Sequence, residues 1–290
     1  MLARWLGVDA NRLGDFWDCT IVADLLDGRI WTPPGYPHFE HSSEPGTAID
    51  GVYVIAGAEY AERIAELNEM YRAGRPAATI IVKDEGSKFP YGNIKYHVGG
   101  LWVQNARRDR HGSDVRPFPV GWTPGVRDAR ARAPHEKTRD WFFAGQVTHA
   151  RRKQCMLQFE LVPNGEALQT PGFLQGMPYP EYLEKMIATK VAPCPGGVIT
   201  PDTFRAWEAL EVGAIPLVDT HGGRGLVDAY WPNLLRREIP FPVIEDWAEA
   251  PNHVQRLLAG WPYHANRIES WWGIWKRDFV YRFFDDLRSF

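Results

Sequence analysis

Short apolar runs alternating with amphipathic helical segments constrain this chain more than any other feature of it. Val52 to Ala56 is an apolar run of strand type, Glu59 to Ala73 carries Tyr60, Ile64, Leu67 and Tyr71 at helical spacing, Gly74 stops it, and Ala78 to Val82 is apolar again. That order is a βαβ unit. Cys19 to Leu26 reads as an earlier strand, and runs around Lys95 to Val98 and Leu101 to Gln104 read as later ones, so the first part of the chain is predicted to be an α/β layer structure.

The pattern starts afresh further on. Trp141 to Ala144 is a strand ending at Gly145, and Ala150 to Leu161 is the helix that follows it. A loop-rich insertion from Pro163 to Pro180 leads to a helix over Pro180 to Ile187, a strand over Lys190 to Cys194, a helix over Asp202 to Val212 and a strand over Ala214 to Val218. This predicts a second parallel sheet. Between the two lies Pro117 to Lys137, rich in Pro, Gly and Arg and poor in apolar periodicity, which reads as an interdomain linker. Domains are therefore predicted over 1–125 and 138–260. From about Asn252 the chain reads as two helices, and 261–290, dense in Trp271, Trp272, Trp275, Phe279, Phe283 and Phe284, is predicted to return to the N-terminal domain.

At 290 residues, with 44% hydrophobic and 24% charged, the chain can bury two cores and is not of disordered type. Its three cysteines, Cys19, Cys155 and Cys194, are far apart and form no C-x-x-C pair, which fits a reducing cytoplasm and argues against a disulfide framework or a zinc site. No run approaches the roughly 20 apolar residues of a membrane span. The net charge of −3 is uneven: Arg107 to Lys153 holds 12 Lys and Arg against 5 acids, leaving +7 there and −10 elsewhere. Thirteen tryptophans are an excess that suits sugar and base stacking as well as core filling.

One segment carries chemistry. Pro193-Cys-Pro-Gly-Gly-Val-Ile-Thr-Pro-Asp-Thr-Phe-Arg-Ala-Trp-Glu-Ala-Leu-Glu-Val-Gly-Ala-Ile-Pro-Leu-Val218 resembles the donor site of the exostosin-like branch of GT-B glycosyltransferases: a Pro/Gly turn, Ser/Thr-x-Arg-x-x-Glu-Ala-Leu, a glycine and an Ile-Pro-Val strand. The resemblance extends to Phe142-Phe-Ala-Gly-Gln146 with Arg151 and Arg152, and to Ile239-Pro-Phe and Glu245-Asp-Trp247, covering roughly 141–258. It implies a GT-B architecture, two Rossmann-like domains facing a cleft, and metal-independent transfer of a sugar from a nucleotide-sugar co-substrate, with UDP-sugar as the first expectation and no other cofactor.

Cleaving a sugar–phosphate bond leaves a nucleoside diphosphate whose growing negative charge needs fixed positive partners. The donor-binding set is expected to be Gly145, Gln146, Arg151, Arg152, Gly196, Gly197, Thr203, Arg205 and Glu208. Amides after Gly145 at a helix start and the three arginines would meet phosphate, and Thr203 a phosphate oxygen. Glu208, one turn beyond Arg205, is implied by the family to accept from the ribose hydroxyls. Retaining relatives often have an acid eight residues before that glutamate, where this chain has Thr200, so the stereochemistry stays open.

The N-terminal half is expected to supply the acceptor side and, for inversion, a general base. Asp84 and Glu85 follow an apolar strand and come first; His97 and His38 are alternatives. Asp285-Asp286 falls in a helix, and no metal is expected. The basic stretch gives Arg107, Arg108, Arg110, Arg127, Arg130 and Arg132 as acceptor contacts if the acceptor is duplex DNA carrying a hydroxylated base, as in bacteriophage DNA modification in the host cytoplasm. A saccharide or lipid-linked acceptor competes with it. Other classes are an epimerase, for which Asp219 and His221 are the available acid/base residues, and a DNA-binding protein on an inactive scaffold.

Overall fold

A computed structural model describes residues 1–6, 10–11, 17–43, 51–56, 64–65, 68–69, 72, 77–82, 100–107, 115–132, 136–172 and 175–288. The chain divides into two compact units, Met1–Val120 with Ile274–Phe290, and Gly121–Gly273.

The first unit is built on strands β1 (Leu2–Leu6), β2 (Glu40–Ser42), β3 (Gly51–Ile55), β4 (Ala77–Ile81), β5 (Leu101–Gln104) and β6 (Val115–Phe118), in the order β2-β1-β3-β4-β5-β6. Every pairing is parallel. Strand β3 is buried along its whole length, as a central strand covered on both faces must be. Of the helix expected over 59–73, residues 64–65, 68–69 and 72 are described and are helical. The strand expected at 95–98 lies outside the described residues.

Thr20–Leu26 is helix α1, not the strand expected there. The β-branched pair Ile21-Val22 imitates a strand, but the buried residues Ile21, Val22, Leu25 and Leu26 recur at helical spacing and leave Ala23 toward the other side.

The second unit has strands β7 (Arg139–Gly145), β8 (Gly165–Gln169), β9 (Thr189–Cys194), β10 (Ile215–Asp219) and β13 (Val243–Ile244), ordered β13-β10-β9-β7-β8 and all parallel. A small antiparallel hairpin, β11 (His221–Gly222) and β12 (Gly225–Leu226), follows β10. Strand β8 falls inside the stretch read as a loop-rich insertion. It is an edge strand whose residues alternate between exposed and half-buried, so it carries almost no apolar signal.

The helices of this unit are α2 (Val126–Arg132), α3 (Ala150–Phe159), α4 (Tyr179–Ile187), α5 (Phe204–Glu211), α6 (Tyr230–Leu235) and α7 (Ala250–Ala259). The final helix, α8 (Trp261–Arg288), begins in the second unit and ends in the first. Within the first unit Phe279 and Phe283 of α8 meet Trp102 of β5 edge-on, with centroids 6.2 and 5.8 Å apart. Arg116 pairs with Asp286 and lies over the Trp102 ring, so Asp286 is spent on an ion pair. Among the described residues no helix is long and apolar enough to cross a membrane.

The division between the units falls inside the stretch read as an interdomain linker, but most of that stretch groups with the second unit. The division falls between Val120 and Gly121, so 121–137 belongs to the second unit. Trp122, 1% exposed, meets Trp272 edge-on. Arg130 donates to the Glu211 carbonyl at 2.6 Å and to Glu269 at 2.5 Å, while Lys137 donates to the Val212 carbonyl at 2.8 Å. These cations satisfy the orphan carbonyls at the C-terminus of α5 and complement its dipole. Periodicity missed the segment because it docks through isolated side chains.

Candidate functional site at the switch point of the second sheet

Renumbered along the second unit, the strand order is 2-1-3-4-5: the chain leaves β7 for β8 on one side and returns to β9 on the other. The helices that follow β7 and β9 then diverge, and the crevice between them at the strand ends is where doubly wound sheets take ligands. The loops there are Gly145-Gln146 after β7 and Pro195-Gly196-Gly197 after β9.

Two of these glycines have physical reasons to be glycine. Gly145 has φ +154°, and a Cβ on it would lie 2.6 Å from Nη2 of Arg205. A Cβ on Gly196 would lie 2.0 Å from the His221 carbonyl oxygen, so the β9 loop and the hairpin touch backbone to backbone.

Three arginines gather at these strand ends. Arg152, in the first turn of α3, donates from Nη1 to the Gln146 carbonyl at 3.0 Å and from Nε to the Gly196 carbonyl at 3.1 Å, so one guanidinium spans both lips of the crevice. Arg205, in the first turn of α5, stacks over the Phe143 ring at 4.2 Å and donates from Nη2 to the Ala144 carbonyl at 2.6 Å. Arg151 forms a two-pronged ion pair with Asp219, Nε to Oδ2 at 3.2 Å and Nη2 to Oδ1 at 2.6 Å, and donates to the Glu245 carbonyl at 2.9 Å.

Asp219, at the end of β10, is wholly buried. Besides Arg151 it accepts from the His221 amide at 2.9 Å and from Nε1 of Trp247 at 2.9 Å. A buried carboxylate bound by a fixed guanidinium and further donors ties the β10, β13 and α3 ends together. The sequence offered Asp219 only as an epimerase acid. Its place at the end of an apolar strand, with Arg151 a helix away, was the signal for this role.

Polar atoms are left over at the same place. Among the described residues, Nε of Arg205, Oγ1 of Thr203 and Nδ1 of His149 are buried without a hydrogen-bond partner. Thr203 and His149 are the N-caps of α5 and α3, and neither side chain caps its helix. An unpaired buried polar atom costs about 1–3 kcal/mol, and these three lie beside helix starts and arginines.

Glu208 is placed differently from the ribose-reading role. It is 3% exposed, and Oε1 accepts from the Thr123 hydroxyl at 2.6 Å and the Tyr179 hydroxyl at 2.9 Å, while Oε2 accepts from the Tyr182 hydroxyl at 2.7 Å. Burial, then the neighbouring Glu208 charge, holds both tyrosines well above the usual phenol range, so they stay protonated donors. A carboxylate has about four lone-pair sites, and three here are taken from within the unit. Asp202 is likewise internal, accepting from Trp207 at 2.5 Å and Tyr230 at 3.2 Å.

The remaining expectations fall as follows. Asp84, Glu85, His97, Arg108 and Arg110 lie outside the described residues, and so does the side chain of Arg132. Arg107 is half-buried, and His38 is exposed, its carbonyl accepting from the N-terminal ammonium at 2.8 Å. Arg130 and Arg127 do not fit free acceptor contacts: the first is bound to Glu211 and Glu269, and the second lies 3.8 Å from Glu211 and over Trp122. Cys155 and Cys194 are free and buried, and burial pushes Cys194 up to about 12, so neither is a nucleophile. Among the described residues no three His, Cys, Asp or Glu side chains gather as a metal set.

No family model matches this chain, and no curated protein matches it.

Proposed function

We propose that the chain is a GT-B glycosyltransferase whose second unit holds a nucleotide-sugar donor, a UDP-sugar first, and transfers its sugar to a hydroxyl acceptor. One observation carries the reading: Arg152 and Arg205, from the first turns of two helices, meet at the switch point of a doubly wound parallel sheet beside unpaired polar atoms. A diphosphate is the ligand that such a set of fixed cations, helix dipoles and glycine loops would bind. The exostosin-like spacing of Arg205, Glu208 and the Ile-Pro strand supports the sugar nucleotide over a bare phosphate.

In the reaction the acceptor oxygen bonds to the anomeric carbon as the bond to the diphosphate oxygen breaks, and the diphosphate leaves with the electron pair. Arg152, Arg205 and the N-terminus of α5 would stabilise that charge, as preorganised donors do at far lower cost than reorienting water. The acceptor's proton goes to a base of the first unit, with Asp84, Glu85 and His97 the proposed choices. Glu208 serves the donor through the wall it organises: a ribose hydroxyl reaches its carboxylate by replacing the hydroxyl of Tyr179, the half-buried one of its three partners.

The test is calorimetric titration with UDP followed by donor hydrolysis across nucleotide sugars, for the wild type and Arg205→Ala. Stabilising a leaving group predicts a turnover loss of about 100-fold with UDP affinity changed much less. A wild type that binds no nucleoside diphosphate at millimolar concentration removes the proposal.

A further inference from the structure

His149 was not among the residues that the sequence singled out, and its two ring nitrogens are in contrasting situations. Nε2 lies 3.1 Å from the Gly196 carbonyl oxygen. A carbonyl only accepts, so Nε2 carries the proton of that bond. Burial first, and the Arg152 guanidinium next, lower the tendency of the ring to take a second proton; the Gly196 bond and Asp219 oppose this, Arg151 adds to it, and the net shift is downward. The ring is then neutral and Nδ1 is a bare acceptor. It is buried, and among the described residues nothing donates to it.

Around it the chemistry is of the opposite sign. Arg151 and Arg152 follow it directly in α3, and the β9 loop that it grips through Gly196 leads to Thr203 and Arg205. Such neighbours recognise an anion but say nothing of what the anion is attached to. One lone acceptor among them reads the next group along, a donor joined to the phosphate. A hydroxyl is that donor in a sugar nucleotide, whereas a bare polyphosphate has no group beyond the phosphates to place there.

We infer that His149 is a specificity residue of the switch-point site, its Nδ1 accepting a hydrogen bond from a hydroxyl of the bound nucleotide sugar. The inference rests on the proposed donor site. Nδ1 is shielded from solvent, and a Cβ on Gly223 would lie 3.0 Å from Cδ2 of the ring, so the turn between β11 and β12 packs on the Cδ2 edge and helps fix the ring plane. That hairpin is tied to the β9 loop by the bond from the Gly223 amide to the Gly197 carbonyl at 2.8 Å, and its turn is Gly223-Arg224, both exposed.

The hydroxyl belongs either to the ribose or to the transferred sugar, and the probes separate these. UDP, UDP-glucose and pyrophosphate are titrated calorimetrically into the wild type, His149→Ala and His149→Asn. Asparagine places an acceptor oxygen near the position of Nδ1 but is too short for the Gly196 carbonyl. His149→Ala is expected to weaken UDP or UDP-glucose by about 3- to 10-fold, the worth of one neutral hydrogen bond, and to leave pyrophosphate unchanged. His149→Asn is expected to recover most of that loss. Equal losses for UDP and UDP-glucose assign the ribose, and a loss confined to UDP-glucose assigns the sugar. Three results overturn the inference: unchanged nucleotide affinity in His149→Ala, an equal loss for pyrophosphate, or His149→Asn behaving as His149→Ala, which would make Gly196 anchoring the whole role. Failure of the wild type to bind UDP removes the donor-site proposal with it, whereas UDP binding that His149→Ala leaves intact removes this inference alone.

Discussion

The two sheets of this chain share a strand order, 2-1-3-4-5, extended in the first by a sixth strand, yet their strand ends hold different chemistry. In the first unit Nε1 of Trp5 donates to Nδ1 of His41 at 2.9 Å, and His41 Nε2 donates to Asp27 at 2.9 Å. Both imidazole nitrogens are taken, so that histidine closes a structural chain. Gln104, at the end of β5, is buried and gives its amide to the Asp18 and Pro119 carbonyls at 2.8 and 3.2 Å. In the second unit the comparable strand ends carry guanidinium groups and buried polar atoms left unpaired. Buried polar atoms without a hydrogen-bond partner among the described residues occur in the first unit as well, Oγ1 of Thr20 and Nε1 of Trp102 among them, so what sets the second sheet's strand ends apart is the guanidinium groups gathered at helix starts there.

The largest effect that tests this contrast is on Asp219. Asp219→Ala leaves Arg151 without its counter-charge and strands the Trp247 donor, and about 3–5 kcal/mol of stability should be lost in urea unfolding. A loss under about 1 kcal/mol would show that the ion pair does not organise the strand ends.

Next is Arg152→Lys. An ammonium keeps the charge but cannot span the Gln146 and Gly196 carbonyls, so UDP affinity should fall by about 10- to 100-fold with little change in thermal midpoint. Affinity preserved by lysine would reduce the site to a point charge. In the first unit His41→Ala leaves the Trp5 donor unpaired, costing about 1–3 kcal/mol of stability, and should leave UDP binding as it was. A fall in UDP affinity there would blur the distinction between framework and site.

Lys137 gives the pH arm. Burial, with Arg130 beside it, lowers it to about 7 in the folded chain. Between roughly pH 7 and its unfolded value of about 10.4 the unfolded chain binds the extra proton, so stability rises with pH across that window. Lys137→Met should flatten the rise, and a slope unchanged by the substitution would assign it to another group.

The smallest effect concerns the acceptor. If duplex DNA binds, neutralising Arg107, Arg108 and Arg110 should flatten the slope of log affinity against log salt by about 0.9 for each phosphate that is no longer neutralised. Arg130→Ala should leave that slope alone, because its guanidinium is held by Glu211 and Glu269. A change with Arg130→Ala equal to that of the other arginines would return it to the DNA-binding set, and no affinity for DNA at about 50 mM salt would end that reading of the acceptor.

Fully buried strands were legible because burial on both faces leaves a continuous apolar run, as at Val52–Ile55 and Ile215–Val218. The edge strand Gly165–Gln169 was not, since solvent on one side removes the pattern, and α1 was misread because Ile21-Val22 outweighed the spacing around it. At the site, the sequence named Arg152, Arg205, Gly145 and Gly196, whose types and spacing follow from local geometry at strand and helix ends.

What the sequence alone determined is the α/β architecture and the stretch of chain that forms the second sheet's switch point, because periodicity, glycines and helix starts are local properties. Which polar groups are spent and which are left was decided by tertiary structure. Glu208 is engaged by Thr123, Tyr179 and Tyr182, which lie 85, 29 and 26 residues away. Arg130 is taken by a carboxylate 139 residues on, and His149 is left with one open nitrogen by a carbonyl 47 residues on. Hydrogen bonds and ion pairs act over a few ångströms of space whatever the distance along the chain, so only the folded molecule determines which of them close.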